Sequence, residues 1–290
     1  FFLSRGSPPL RRISILVFSP HPDDEILGSG GYLASMRESG NDIFVVIVTD
    51  GGRGVAQDLV HTAKGAQLRE NESRAGLAEI GVEEFEFWGY RDSAVPMSGD
   101  ILTRYQGIVA EIRPGQILLP HPSEEHPDHR RVTRGLLKAL EGEWEGELLF
   151  YETERPLDPV NYYFDTSDVL EKQLNAMAAH QSQSQVQKKD YVEQLRLFSR
   201  LRGVAGGYEA AEAYLQYEWD GQYENFFAAR PLISVIVRSD DLPFLHYSLS
   251  SLLFQRYDQF EVLVVWFGSE RPDLEPFNQL DIRLLEGKAS

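Results

Sequence analysis

The sequence predicts an α/β fold in which a doubly wound, mostly parallel (Rossmann-like) sheet carries helices on both faces. Short, almost continuously apolar segments alternate with segments of helical spacing through the first half of the chain. Apolar runs of this kind are typical of parallel strands that are covered on both faces. Two loops rich in His and Asp also follow directly after two of these runs, which is where such sheets hold their ligands.

Five strands and six helices are predicted in the first part of the chain. The strands cover residues 13–19, 43–49, 84–88, 116–120 and 147–152. The helices cover residues 25–39, 62–80, 100–112, 127–140, 168–180 and 188–202. Gly40 and Gly81 follow two of these helices, and glycine often occupies the position where a helix ends.

The pattern divides the chain into three parts. Residues 1–202 are predicted to form the first domain, and residues 203–230 a connecting segment. Residues 231–290 again show strand, helix and strand patterns, so we expect the beginning of a second α/β unit there. Because the chain does not start with Met, we expect it to be part of a longer protein.

Composition argues against several classes of function. The 290 residues carry a formal net charge of −17, which disfavours nucleic acid and anionic membranes as partners. No apolar stretch reaches the roughly 20 residues that cross a bilayer, and the first residues lack the pattern of a secretory signal. We therefore expect a cytoplasmic protein. The sequence does not specify its oligomeric state. The chain has no Cys, so any metal must be held by His and carboxylate side chains.

Two loops contain four of the seven His residues. Residues 20–25 read PHPDDE after the first strand, and residues 121–129 read HPSEEHPDH after the fourth. On the simpler interpretation each loop is a turn, in which Pro fixes the backbone and Asp caps the following helix. Both loops lie at carboxyl ends of predicted parallel strands, which favours a shared site over two unrelated turns.

The residue types in these loops fit a catalytic zinc site. Such a site uses three protein ligands and keeps one position open for water. His21 and Asp24 can bind the ion from one tight loop, and His129 can bind it from the other. Zinc lowers the pKa of its water toward neutral and thereby supplies a hydroxide nucleophile. Other divalent transition metals suit the same ligands.

Three further residues of the two loops have predicted catalytic roles. Asp23 lies next to Asp24 and is predicted to act as the general base for the water. His126 lies one helical turn before His129 and is predicted to stabilise the developing oxyanion. Asp128 is predicted to hold His126 in the required tautomer.

These motifs resemble those of the LmbE-like/PIG-L family of zinc-dependent N-acetylglucosaminyl deacetylases. The family's first motif is AHPDDE, and Pro20 stands here in place of the Ala. Residues 49–51, 69–82 and 172–183 are similar to further family segments, so the resemblance covers roughly residues 11–200. The resemblance implies that His21, Asp24 and His129 are the zinc ligands. It also implies that Asp23 is the general base and that His126 stabilises the oxyanion. It also implies a small-molecule substrate, such as N-acetylglucosamine joined to inositol, malate or another sugar.

Three residues are predicted to bind the substrate. The guanidinium groups of Arg53 and Arg69 suit an anionic or polyhydroxyl group. The alternative is that Arg69 lies on the helix surface and forms an ion pair with Glu72, three residues later. His121 is predicted to line the pocket, and the alternative is that it only ends the strand.

Residues 231–269 resemble the opening strand, helix and strand of family-two glycosyltransferases, which implies a nucleotide near Asp240 or Asp241. The leading prediction for the whole chain is hydrolysis of the amide of an N-acetylated amino sugar, which releases acetate and a free amine. Two alternatives remain open. One is a glycosyltransferase with a non-catalytic N-terminal domain, and the other is a carbohydrate-binding metalloprotein without turnover.

Overall fold

The computed structural model describes residues 12–153, 156, 158–222, 233–252 and 260–286. Seven strands form the larger of its two sheets: β1 (Ser14–Ser19), β2 (Asp42–Thr49), β3 (Glu84–Tyr90), β4 (Gln116–Pro120), β5 (Gly146–Tyr151), β6 (Tyr162–Asp165) and β7 (Ala211–Trp219). The helices that accompany this sheet are α1 (Asp24–Glu38), α2 (Ala63–Glu79), α3 (Asp100–Ile112), α4 (Pro127–Leu140), α5 (Leu170–Ala178), α6 (Gln181–Gln187) and α7 (Tyr191–Gly206).

The larger sheet has the strand order β3-β2-β1-β4-β5-β7-β6. The five strands from β3 to β5 are parallel, whereas β7 runs antiparallel to both β5 and β6. The predicted fold class is therefore confirmed. The order reverses between β1 and β4, which are direct neighbours with Ile15 opposite Gln116. This reversal is the switch point at which doubly wound sheets bind ligands, outside the carboxyl ends of the strands.

Both faces of the central strands β1, β2, β4 and β5 are largely buried, which explains their almost continuous apolar runs. Along β1, Ile15 and Val17 pack into one core cluster, while Leu16 and Phe18 pack into the other. Residues of α1, α2, α5 and α7 belong to the first cluster, and residues of α3 and α4 belong to the second. The β1–α1 and β4–α4 loops thus follow strands whose side chains are almost all buried.

The sequence-based element assignment needs three corrections after β5. The stretch 203–230 was predicted to be a connection, but β7 comes from it and pairs between β5 and β6. The short strand β6 was not predicted. The polar run 181–187, expected to join two helices, is itself the helix α6.

The second sheet contains β8 (Ile233–Ser239), β9 (Phe260–Trp266) and β10 (Ile282–Glu286), all parallel, in the order β10-β9-β8. Helix α8 (Leu242–Leu252) connects the first two strands in the chain order that the sequence predicted. Asp241 caps this helix by accepting a hydrogen bond from the Phe244 backbone N–H at 2.7 Å. Within the described ranges, no helix has the length and apolar character needed to cross a membrane.

Candidate metal centre

The two His- and Asp-rich loops meet at the switch point, because each begins where one of two adjacent parallel strands ends. Helix α1 begins at Asp24, and the preceding Asp23 has φ 152° and ψ −24°. Such a backbone conformation is rare for a residue with a side chain, and it occurs mostly at functional sites. The Asp23 side chain makes no capping hydrogen bond to α1, so the simpler capping interpretation does not account for it.

Three side-chain atoms of the two loops form a compact cluster, called here the donor triangle: His21 Nδ1, Asp24 Oδ2 and His129 Nε2. The separation is 3.0 Å between His21 and Asp24, 3.0 Å between His129 and Asp24, and 3.2 Å between the two imidazoles. Tetrahedral zinc with bonds near 2.0–2.1 Å places its ligand atoms roughly 3.3 Å apart. The donor triangle therefore has the size that such an ion requires.

The chemistry of the donor triangle also fits a cation. Two ring nitrogens and a carboxylate oxygen converge, and a bound cation would satisfy a lone pair on each of them. The side chains of Asp24 and His129 are buried, and burying such groups is costly unless they are paired or coordinate a metal. His126 also lies near His21 and His129. Asp24 is the predicted third ligand, and its oxygen lies only 3.0 Å from both ring nitrogens.

Two carboxylates lie behind His21, on the side away from the donor triangle. The Nε2 atom of His21 is 3.4 Å from Asp128 Oδ2 and 3.6 Å from Asp92 Oδ1. Carboxylates in this position favour the tautomer whose Nδ1 is free to bind a metal. Sequence reasoning missed Asp92, although it follows β3 at the same edge of the sheet as the two loops.

His129 has a similar neighbour in Glu124. Its Nδ1 lies 3.9 Å from Glu124 Oε2, and the other oxygen of Glu124 accepts hydrogen bonds from the backbone N–H and the hydroxyl of Thr153 at 2.8 and 2.9 Å. Both imidazoles of the donor triangle thus have a buried carboxylate behind them. Glu124 was not singled out from the sequence, where it is one of several acidic residues in its loop.

Asp23 lies beside the donor triangle but contributes no atom to it. Arg69 donates a hydrogen bond to Asp23 Oδ2 at 2.9 Å and another to the Pro22 carbonyl. Burial raises the pKa of Asp23 to about 6, although the Arg69 charge acts in the opposite direction. A buried carboxyl whose pKa lies close to neutrality has the property expected of a general base.

The guanidinium of Arg69 has partners within the protein, and its predicted contact with a substrate stays a prediction. Its side chain is only 1% exposed and its guanidinium is engaged by Asp23, with Glu72 3.6 Å away. The ion pair with Glu72 that was considered as an alternative is therefore present, but it is buried. In this arrangement Arg69 primarily orients the carboxylate of Asp23.

His126 is the N-cap residue of α4. Its Nδ1 accepts a hydrogen bond from the Asp128 backbone N–H at 3.2 Å, which leaves Nε2 to carry the proton. Burial and the nearby His21 and His129 lower the pKa of His126 to about 3. His126 is therefore expected to be a neutral hydrogen-bond donor, as stabilisation of an oxyanion requires.

The backbone of Asp128, and not its carboxylate, makes the contact with His126 that was predicted from the sequence. The carboxylate instead accepts hydrogen bonds from the backbone N–H groups of Ser93 and Val95, at 2.6 and 3.3 Å, and from Arg131 at 3.2 Å. It fixes the loop after β3 and supports His21. Sequence adjacency could not distinguish these two arrangements.

A cavity of about 430 Å³ opens onto the donor triangle. Its lining contains the predicted residues His21, Asp23, Asp24, Arg53, Arg69, His126 and His129, together with Leu27, Gly51, Gly54, Asp92, Ser93, Glu125, Pro127, Gln183, Gln187 and Tyr191. Arg53 is exposed at the edge of this lining. Its contact with a substrate stays a prediction.

His121 is placed away from this cavity and does not line it. Its side chain is fully buried, with Nε2 3.0 Å from the Pro159 carbonyl oxygen. Its Nδ1 accepts a hydrogen bond from the Ser123 backbone N–H at 3.0 Å. The structure therefore favours the alternative interpretation of His121, as a residue that ends β4 and fixes the following loop.

The fold and this site define a class of protein: a doubly wound α/β protein whose switch point can hold a divalent metal beside a separate buried carboxylate. Comparisons with known proteins are more specific. Residues 16–140 match the family model described as PIG-L, GlcNAc-PI de-N-acetylase. The chain is also 29% identical over 189 residues to the diacetylchitobiose deacetylase of Thermococcus kodakarensis. The alignment covers 58% of this chain and 69% of that protein.

Solved structures show the same fold. The N,N'-diacetylchitobiose deacetylase from Pyrococcus horikoshii, in complex with its inhibitor MPG, aligns with a TM-score of 0.63 and 24% identity, over 75% of this chain and 86% of that chain. GalB, the 4-carboxy-2-hydroxymuconate hydratase from Pseudomonas putida KT2440, aligns with a TM-score of 0.62 and 20% identity. That alignment covers 70% of this chain and 95% of GalB. The fold thus occurs with more than one reaction, so function must be argued from the site. The family model and the curated relative support the resemblance to PIG-L/LmbE-like deacetylases.

Proposed function

We propose that this protein is a metal-dependent amidohydrolase that removes the acetyl group from an N-acetylglucosamine-containing substrate. The observation that carries the proposal is the donor triangle with a second, buried carboxylate beside it in one cavity. Amide hydrolysis needs an activated water, a base to take its proton and a donor for the oxyanion. The names of the relatives favour N-acetylglucosamine conjugates over other amides.

Zinc is the metal that we propose for the donor triangle, because two imidazoles and one carboxylate form a typical catalytic zinc set. His21, Asp24 and His129 would hold it. When bound, zinc acts as a Lewis acid and lowers the pKa of water toward neutral.

The chain's own residues divide the remaining work. Asp23, oriented by Arg69, accepts the proton of the attacking water. His126 donates its Nε2–H to the carbonyl oxygen as negative charge develops there, and its fixed orientation reduces the cost of reorganisation. Asp23 then returns the proton to the nitrogen of the leaving amine as the carbon–nitrogen bond breaks. The products are acetate and a free amino sugar.

The domain that we assign to this activity extends beyond the predicted boundary, because β7 completes its sheet. We therefore place the catalytic domain at residues 12–219 and keep residues 231–290 as a glycosyltransferase-like unit. Exposed Asp240 and the helix-capping Asp241 are its candidate nucleotide contacts.

Metal analysis combined with an amine-release assay tests the proposal. The protein is purified without chelators and assayed on N-acetylglucosamine and its conjugates, then again after metal removal and after zinc addition. About one zinc per chain, with activity that is lost on removal and restored on addition, is expected. Bound metal without turnover on any N-acetylated sugar would favour a carbohydrate-binding metalloprotein. Absence of metal binding would refute the mechanism.

A further inference from the structure

The loop between β1 and α1 contains a buried acid that the proposed mechanism does not use. Glu25 follows Asp24 in the first turn of α1, and its side chain is fully buried. Its Oε2 accepts a hydrogen bond from the backbone N–H of Asp23 at 3.1 Å. Burying a carboxyl group is costly unless it has partners, so the position of Glu25 requires an explanation.

Ser19, the last residue of β1, takes over the capping of α1. Its hydroxyl oxygen accepts a hydrogen bond from the Glu25 backbone N–H at 3.1 Å. That N–H is one of the groups to which the side chain of an N-cap residue ordinarily binds. The N-cap residue here is Asp23, and its side chain makes no such bond. Ser19 therefore leaves the Asp23 carboxylate free to face the cavity, which Asp23 lines.

Ser19 and Glu25 are also joined through their side chains. Ser19 Oγ lies 2.6 Å from Glu25 Oε2 and 2.7 Å from the His21 carbonyl oxygen. One hydroxyl thus contacts both the chain before Asp23 and the helix after it. Because Ser19 is fully buried and pairs with Ile47 in the parallel sheet, it provides a fixed point of attachment for the loop.

Helix α2 holds the same loop from another side. The hydroxyl of Ser73 donates a hydrogen bond to Glu25 Oε1 at 2.9 Å, and Ser73 is fully buried. Arg69, four residues earlier on α2, donates to Asp23 Oδ2 at 2.9 Å. Residues four apart share one face of a helix. A single face of α2 therefore holds both the carboxylate of Asp23 and the acid that binds its backbone.

The backbone of Asp23 requires this support. Its φ of 152° and ψ of −24° define a conformation that persists only where the surrounding structure holds it. The Asp23 N–H is bound by Glu25, and its carbonyl oxygen accepts from the N–H groups of Ile26 and Leu27 at 3.0 and 2.9 Å. Without Ser19 and Glu25, the Asp23 side chain would be the nearest substitute acceptor for the start of α1.

We propose that Ser19 and Glu25 are positioning residues that together form a substitute cap for α1 and so keep the Asp23 carboxylate available as the general base. Neither side chain lines the cavity, so each acts through Asp23 and not through the substrate. Ser73 completes the arrangement by binding Glu25. This inference rests on the proposed function, because it assigns the two residues a role in orienting the proposed base.

A double-mutant cycle tests the substitute cap. Ser19→Ala, Glu25→Leu and Glu25→Gln are prepared in the wild-type chain and in the Asp23→Asn variant. Ser29→Ala is the matched control, because Ser29 is fully buried in α1 and does not line the cavity. Amine release from N-acetylglucosamine conjugates gives kcat and KM. Circular dichroism and zinc content verify that each variant is folded and loaded.

Ser19→Ala and Glu25→Leu should each lower kcat about 10- to 100-fold with little change in KM, since a misplacement of about 1 Å can cost about 10²-fold. Glu25→Gln keeps an acceptor for the Asp23 N–H and should retain most of the kcat. In the Asp23→Asn variant the same changes should lower the residual kcat less than about twofold, because no base is left to position. Equal losses in both backgrounds, or an equal loss in Ser29→Ala, would overturn the proposal.

Crystal structures of wild type and Ser19→Ala give a readout that does not depend on turnover. In the variant the Asp23 carboxylate is expected to turn toward the Glu25 backbone N–H, which Ser19 no longer binds. A carboxylate that keeps its wild-type position would overturn the substitute cap. A wild-type protein that releases no amine from any conjugate would refute the proposed function, whereas the pair of structures would still decide the role of Ser19.

Discussion

Replacement of Asp23 by Asn is the sharpest test of the proposed base, because it removes the charge and keeps the shape. The Asn side-chain oxygen can still accept the hydrogen bond that Arg69 donates to Asp23 at 2.9 Å. Asp23 supplies no atom of the donor triangle, whose three contacts of 3.0, 3.0 and 3.2 Å involve other residues. The variant is therefore expected to bind metal as wild type does.

The expected loss of turnover follows from the role of a general base. Such groups contribute about 10²- to 10⁴-fold to the rate, which corresponds to about 2.7–5.5 kcal/mol in the activation free energy. Burial raises the pKa of Asp23 to about 6, so it is a stronger base than an exposed carboxylate. We expect kcat to fall by at least 10²-fold with little change in KM.

The assay combines steady-state amine release with zinc content measured on the same preparation. Asp24→Asn serves as the contrasting variant, because it weakens a ligand of the donor triangle and should lose metal together with activity. A near-wild-type kcat for Asp23→Asn would refute the base assignment. A parallel loss of zinc in Asp23→Asn would show that Asp23 acts through the metal site and not as a separate base.

Three further changes probe the oxyanion donor, the packing and the pH dependence. His126→Gln should retain zinc and lower kcat about 10²- to 10³-fold in the amine-release assay, as for loss of an oxyanion-hole donor; an unchanged kcat contradicts that role. Gly28→Ala should lower the free energy of unfolding by about 1–3 kcal/mol in urea titrations, because its Cβ would lie 2.2 Å from the ring of buried Tyr151. Gly107→Ala, in a helix with nothing within 4 Å, is the control and should not destabilise. Burial raises the pKa of Glu212 from 4.5 to about 7, so the folded state holds the extra proton and stability should fall as pH rises between these values. Glu212→Gln should show a smaller fall in Tm over that range, and an equal fall would assign the effect to another group.

The first five strands and the two loops were predictable because their signals are local. Strands β1, β2, β4 and β5 are largely buried on both faces and carry mostly apolar residues, and each of the two His- and Asp-rich loops directly follows such a strand. Strand β7 was missed because its sequence, AEAYLQYEW, mixes small, polar and aromatic residues. Its place in the sheet depends on pairing with β5 and β6, which are distant in the sequence.

The contacts of several predicted site residues depend on three-dimensional neighbours. Arg69 has the chemistry of a substrate-binding residue, but only the packing of α2 against the β1–α1 loop brings it to Asp23. His121 lies in the same loop as His126 and His129, yet its side chain points toward Pro159. Asp92 belongs to no spacing pattern, so only the assembled cavity reveals it.

The donor triangle joins two positions that are 108 residues apart in the chain, His21 and His129. A bound ion would therefore act as a cross-link between the two halves of the central sheet. Cross-links across long loops restrict the unfolded chain, and an ion that binds only the folded state adds stability with its concentration. Chelation should accordingly lower Tm as well as activity. Proteolysis after chelation would then report how far the two halves of the sheet depend on the ion for their association.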